Sequence, residues 1–200
     1  MKGRVLPVAL LTADLLVGAG GPAATAATPS SPTVLTAPGA PTPTADHNDR
    51  DVMFARMMIP HHRQAVEMGR LAADRAADAR VARLARRIEA AQAPEIRTMS
   101  GWLTSWGERV PGESPAPAPH TMPGMMSPED MRRLEGLSGR AFDRAFLTMM
   151  IRHHEGAVAM ARDELRGGTY EPARRMAESI VSSQSAEIKE MKSMLGSLPG

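Results

Sequence analysis

The sequence predicts an all-α protein, an antiparallel four-helix bundle made of two duplicated helical hairpins. Three observations carry that prediction. Sliding the chain by 92 positions aligns 51–107 with 143–199 without a gap and gives 20 identities, the mark of an internal duplication. Each copy holds two long segments whose apolar residues recur at three- and four-residue spacing, the period of a helix face. No segment alternates as a strand does.

The N-terminus reads as a secretory signal over 1–26. Lys2 and Arg4 precede the mostly apolar run Val5–Val17, and Ala24-Thr25-Ala26 offers a small-residue cleavage site. That run is interrupted by Pro7 and Asp14 and falls short of the ~20 apolar residues of a membrane span. Residues 27–46 are rich in Pro, Thr and Ala, the composition of a disordered, extended linker. The mature chain is therefore expected outside the cytoplasm, secreted or in the cell envelope, with its bundle over 47–200. The sequence contains no cysteine, which excludes disulfides and thiolate metal sites.

The pI of about 9.5 overstates the basicity of the mature protein. Without Lys2, Arg4 and Asp14 the chain carries 22 basic and 21 acidic residues. With one Tyr and two Trp it also lacks the stacking aromatics of a nucleic-acid binder, and nucleic acid is excluded as a partner. The basic run RVARLARR (80–87) reads as a solvated helix face.

In the first hairpin (51–107), Phe54, Met58, Ala65, Met68 and Ala72 form one stripe. Val81, Leu84, Ile88, Ile96, Met99, Leu103 and Trp106 form the next. The second hairpin (143–199) repeats this with Phe146, Met150, Ala157 and Met160, then Met176, Ile180, Ile188, Met191 and Leu195. Gly167-Gly168 should end the third long helix, and Pro172 suits the first turn of the fourth. Between the hairpins lies the Met/Pro-rich loop 111–128. At its end, Ser127-Pro128-Glu129-Asp130 has the form of a capped helix start, predicting a short extra helix before Gly139.

The stripes carry polar residues. His61 falls in the series 54, 58, 61, 65, 68 and points to the core, as does His153 in its own helix. His62 and His154 sit about 100° further round and should flank the interface. Gln92 and Glu95, and their equivalents Gln184 and Glu187, occupy core positions on the partner helices. An unpaired buried carboxylate costs several kcal/mol, against a domain stability of only about 5–15 kcal/mol. Two arrangements answer that cost. The His and Glu side chains form a buried hydrogen-bonded network that fixes helix register, or they share a metal ion. The duplicated set, in the core of a bundle, favours the metal.

Imidazole suits Zn, Cu, Fe and Ni, while thioether sulfur selects Cu(I). The chain has 16 methionines against six aromatics. Met57, Met58, Met68 and Met99 lie on or beside the histidine faces, although many of these fill core gaps. The loop adds His120, Met122, Met125 and Met126, where no core needs filling. Pro60 precedes the first histidine pair and predicts a kink there; the second copy has Arg152, so the proline does not belong to the shared chemistry.

The segments MMIPHHRQAVEM, MPGMMSPEDM and FDRAFLTMMIRHHEGAVAMA, with the paired Q-x-x-E-I-x-x-M stretches, resemble a bacterial exported family catalogued as domain of unknown function three hundred and five. The resemblance covers about 47–198. It implies a ferritin-like four-helix bundle and copper binding, since a few members are periplasmic copper-binding or copper-resistance proteins. Carried onto this chain, it implies His61, His62, His153 and His154 as ligands, with Met57, Met58, Met68, Met149, Met150 and Met160.

The leading expectation is a non-enzymatic exported protein that binds a copper ion for storage, buffering or resistance, its oligomeric state open to a homo-oligomer. A metal-free bundle serving as an interaction module is the alternative. A ferritin-like di-metal oxidase fits less well, because each hairpin supplies one core carboxylate and the spacing is Gln-x-x-Glu rather than Glu-x-x-His.

Overall fold

The computed structural model describes residues 47–112 and 122–198. The expected signal, the linker and His120 lie outside them. Four long helices and one short one follow in order: α1 (Asp49–Arg75), α2 (Ala79–Ser105), α3 (Pro128–Glu135), α4 (Gly139–Gly167) and α5 (Glu171–Ser197). Among the described residues there is no strand, only an isolated bridge between Ala76 and Gly139. The long helices have 27 to 29 residues, roughly 40 Å each at 1.5 Å per residue.

Local chemistry sets the helix ends. Asn48 caps α1 by accepting from the backbone N–H groups of Arg50 and Asp51, and the Asp51 carboxylate returns a bond to the Asn48 N–H. Ser127 and Asp130 form the same reciprocal box at α3, with Pro128 in the first turn. Gly168 caps α4, and Pro172 sits in the first turn of α5, both as the sequence predicts. Pro60 lies within α1, and the helix continues through it to Arg75.

Each hairpin packs on itself, α1 on α2 and α4 on α5, and the hairpins meet along α1 and α4. Those two helices run antiparallel, as two duplicated bonds show. Asp51, near the start of α1, accepts from the N–H groups of Thr169 (3.1 Å) and Tyr170 (3.0 Å), just ahead of α5. Asp143, near the start of α4, accepts from the N–H groups of Ala77 (3.2 Å) and Asp78 (2.9 Å), just ahead of α2. All three residues of each set differ by 92 in number, so the duplication places one device at both ends of the bundle. Each buried carboxylate ties its own hairpin to the turn of the other.

The apolar interior divides into two clusters. One gathers Met68, Leu84, Ile88, Phe142, Phe146, Leu147, Met150 and Met191. The other gathers Phe54, Met58, Ile59, Met99, Leu103, Met160 and Ile180. Burying a side chain of this size stabilises the fold by about 1.5–3 kcal/mol. The histidines belong to neither cluster and form a polar layer between them.

Candidate metal centre

His61, His62, His153 and His154 are all completely buried. The helix period brings His61 and His153 to the seam between α1 and α4, where their ring centroids stand 3.8 Å apart. His62 and His154 lie beside that seam, turned about 100° from it. They are closed in by α2 and α5, whose carboxylates they meet. His62 Nε2 lies 2.7 Å from Glu95 Oε2, and His154 Nε2 lies 2.7 Å from Glu187 Oε2. Glu95 and Glu187 keep 23% and 20% of their side chains exposed, so each links a buried ring to solvent.

These partners fix the tautomers. A carboxylate accepts, so His62 and His154 donate from Nε2–H, and in a neutral ring so placed the lone pair falls on Nδ1. The same holds for His61, whose Nε2 donates to the Pro123 carbonyl at 3.1 Å. The Nδ1 atoms of His61, His62 and His154 are buried without a partner, and so are both nitrogens of His153. A buried polar atom left unpaired costs about 1–3 kcal/mol, so five together rival the whole stability of a domain. Burial, reinforced by His62 and then by His154, lowers the His61 pKa to about 3. Burial and the other three rings, His61 foremost, hold His153 well below the usual histidine value. Both stay neutral, the form that ligates a metal.

The expected methionines surround this layer on both sides. Met58 and Met160 are buried in one apolar cluster, with Met57 packed against it; Met68 and Met150 are buried in the other, with Met149 packed against it. Among the described residues, no three His, Asp or Glu side chains already stand at metal-ligand spacing. The donors present are imidazole lone pairs with thioethers above and below, and both carboxylates are engaged by histidine. That donor set fits a soft ion held by few ligands. The Glu–His pairing matches the outer carboxylate that orients a metal-bound imidazole.

The connecting loop closes the α1/α4 side. The Gln64 amide holds the Met126 backbone at both ends, accepting from its N–H (2.7 Å) and donating to its carbonyl (3.0 Å). Arg152 donates to Asp130 (2.9 Å) and contacts the Met126 sulfur (3.0 Å). Gly124 adopts φ +80°, and a Cβ on Gly156 would stand 2.0 Å from the Pro123 oxygen. Only a glycine at 156 lets the loop settle this deeply.

Sequence reasoning named the histidines, the glutamates and the methionines. It missed Asp51 and Asp143, although their identity begins the aligned repeat. It also missed Gln64 and Gly156, which occupy equivalent positions and differ.

A family model described as a domain of unknown function (DUF305) matches residues 51–195. The chain belongs to the DUF305 family. A DUF305 protein from Streptomyces coelicolor described as secreted is 37% identical, covering 74% of this chain and 91% of that one with a TM-score of 0.67. A DUF305 fragment from Deinococcus radiodurans is 35% identical, covering 76% and 99% with a TM-score of 0.68. CopM in its Cu(I)-bound form is 32% identical, covering 75% and 98% with a TM-score of 0.64. CopM also matches in Cu(II)-bound, silver-bound and apo forms. No curated protein matches the chain. Among the described residues, no helix is long and apolar enough to cross a membrane.

Proposed function

We propose that this DUF305 protein is a non-enzymatic, exported metal-binding protein that sequesters copper, for storage, buffering or resistance. The observation that carries the reading is the set of buried, unpartnered Nδ1 atoms on His61, His62 and His154, each on a ring anchored through its other nitrogen. A metal ion offsets the cost of these unpaired atoms, and the flanking thioethers favour Cu(I) over harder ions. The likeness to CopM, solved with Cu(I), Cu(II) and silver, supports the same ion class. Export is supported by the signal-like N-terminus and by the likeness to a family member described as secreted.

The reading is tested by titrating the purified protein against a chromophoric competitor with Cu(I), Zn(II) and Fe(II) in parallel. Cu(I) is expected to bind at least about 100-fold more tightly than Zn(II), a difference of about 2.8 kcal/mol. Failure of all three ions to compete would refute it.

The two His–Glu bonds favour a second reading, a metal-free interaction module whose polar layer sets helix register. It predicts the same failure to compete. A di-metal oxidase gains no support, because each hairpin brings one carboxylate to the histidine layer, in a Gln-x-x-Glu rather than a Glu-x-x-His spacing.

A further inference from the structure

The histidine layer has two sides. On the α1/α4 side the loop Met122–Met126 is pressed against Gly156 and held by Gln64. On the other side, α2 and α5 stand apart around a cavity of about 30 Å³, room for about one water-sized body. Its polar lining is Gln92, Glu95, Gln184 and Glu187, two pairs related by the duplication, with Ser183, whose hydroxyl donates to the Ser179 carbonyl.

The glutamines have no structural task in view. Each is only 3% exposed, and the Oε1 of each is buried without a partner. Leaving a carbonyl in that state costs about 1–3 kcal/mol, and the chain does it twice at equivalent positions. The cavity therefore presents two unpaired carbonyl oxygens and two carboxylates among its polar groups. Glu95 and Glu187 touch solvent on one side and a buried imidazole on the other. Across the cleft, Arg87 of α2 is engaged by both oxygens of Glu190 of α5 at 2.7 Å. Its equivalent in the second copy is Ser179, so one end of the cleft is bridged by that pair and the other is not.

We propose that the α2/α5 cleft is the passage by which a metal cation reaches and leaves the buried histidines. The ion docks on the Gln92 and Gln184 carbonyls and the Glu95 and Glu187 carboxylates, then passes inward to the imidazole lone pairs. Carboxylate-bearing walls raise the local concentration of cations and speed their capture. This rests on the metal-binding reading above and adds the route.

The test is kinetic. The full chain is loaded with Cu(I), and release to excess bathocuproine disulfonate is followed by stopped flow, with the equilibrium affinity measured separately. Q92L with Q184L is expected to slow release about tenfold while Kd stays within about twofold, because both directions use the same passage. A second pair, A91L with S183L, fills the cavity while keeping both glutamine carbonyls and is expected to slow release in the same way. R152A loosens the opposite wall and should leave the rate unchanged. Release at the wild-type rate in both cleft variants would overturn the proposal, as would faster release in R152A alone, which places the passage under the loop. A wild-type protein with no Cu(I) to release would instead overturn the metal-binding reading itself.

Discussion

The two hairpins match where they face each other across the histidine layer and differ where the single connecting loop rests. His61 and His62 face His153 and His154, and Glu95 matches Glu187 bond for bond at 2.7 Å. Against the loop the equivalents part. Gln64 grips Met126, whereas Gly156 makes room for Pro123; Pro60 makes no such contact, whereas Arg152 reaches Asp130. A duplicated chain has two hairpins but one linker, so only one copy of each position can hold it. The consequence reaches the site. His61 is anchored by the Pro123 carbonyl and His153 has no counterpart, so two histidines of identical origin are not equivalent donors.

The largest expected break in that asymmetry is G156Q, which gives the second copy the residue of the first. The new Cβ would lie 2.0 Å from the Pro123 oxygen, so the loop must lift. Equilibrium denaturation should report a loss of about 3 kcal/mol, from overpacking together with the exposure of Met126. A loss below about 1 kcal/mol would mean that the loop is not seated as described.

The two carboxylate ties give a finer comparison. Asp51 is desolvated, yet its pKa is lowered, because Glu164 and the N–H groups of Asn48, Tyr170 and Thr169 all favour its charge. Asp143 is desolvated too, and the N–H groups of Asp78 and Ala77 do not fully offset that, so its pKa is raised. D51N is therefore expected to cost about 2 kcal/mol and D143N about 1 kcal/mol, read from denaturant midpoints. Equal losses would show that the two ends work alike.

A pH dependence separates those ends as well. Glu164 is 2% exposed and stands where the first copy has Ala72. Neither of its oxygens accepts a hydrogen bond, and in its protonated form it donates to Asp51. Desolvation, then the Asp51 charge, raise its pKa from 4.5 to about 8, against the opposing pull of Arg174 and Arg50. The folded protein thus holds a proton that the unfolded chain releases. The stabilisation is present in full below pH 4.5 and is lost as pH rises toward about 8. Tm should fall between pH 5 and pH 8, and E164Q, which keeps a donor without the titrating proton, should flatten that slope.

Much of this was legible in the sequence because duplication and periodicity are properties of the chain itself. The 92-residue shift and the three/four spacing place Phe54, Met58, His61 and Met68 on one face, and Gln92 and Glu95 on the face that meets it. Ser127 and Gly168 mark helix ends through backbone chemistry that needs no tertiary context. The loop contacts were not legible. Whether Gly156 is an ordinary helix residue or a seat for Pro123 depends on where a non-repeating segment lands, and no periodicity encodes that. The burial of His62 and His154 escaped for a related reason. A residue 100° from the stripe centre is covered or exposed according to how closely the second helix of each hairpin approaches.

The central claim is that the paired histidines of both copies form one buried metal-binding layer. It is tested most directly by a Cu(I) competition titration of H61L/H153L, with circular dichroism confirming the fold. The account predicts a helical protein at least as stable as wild type without metal, since three unpaired buried nitrogens are removed, and a Cu(I) affinity at least about 100-fold weaker. A folded variant that binds Cu(I) as tightly as wild type would contradict it.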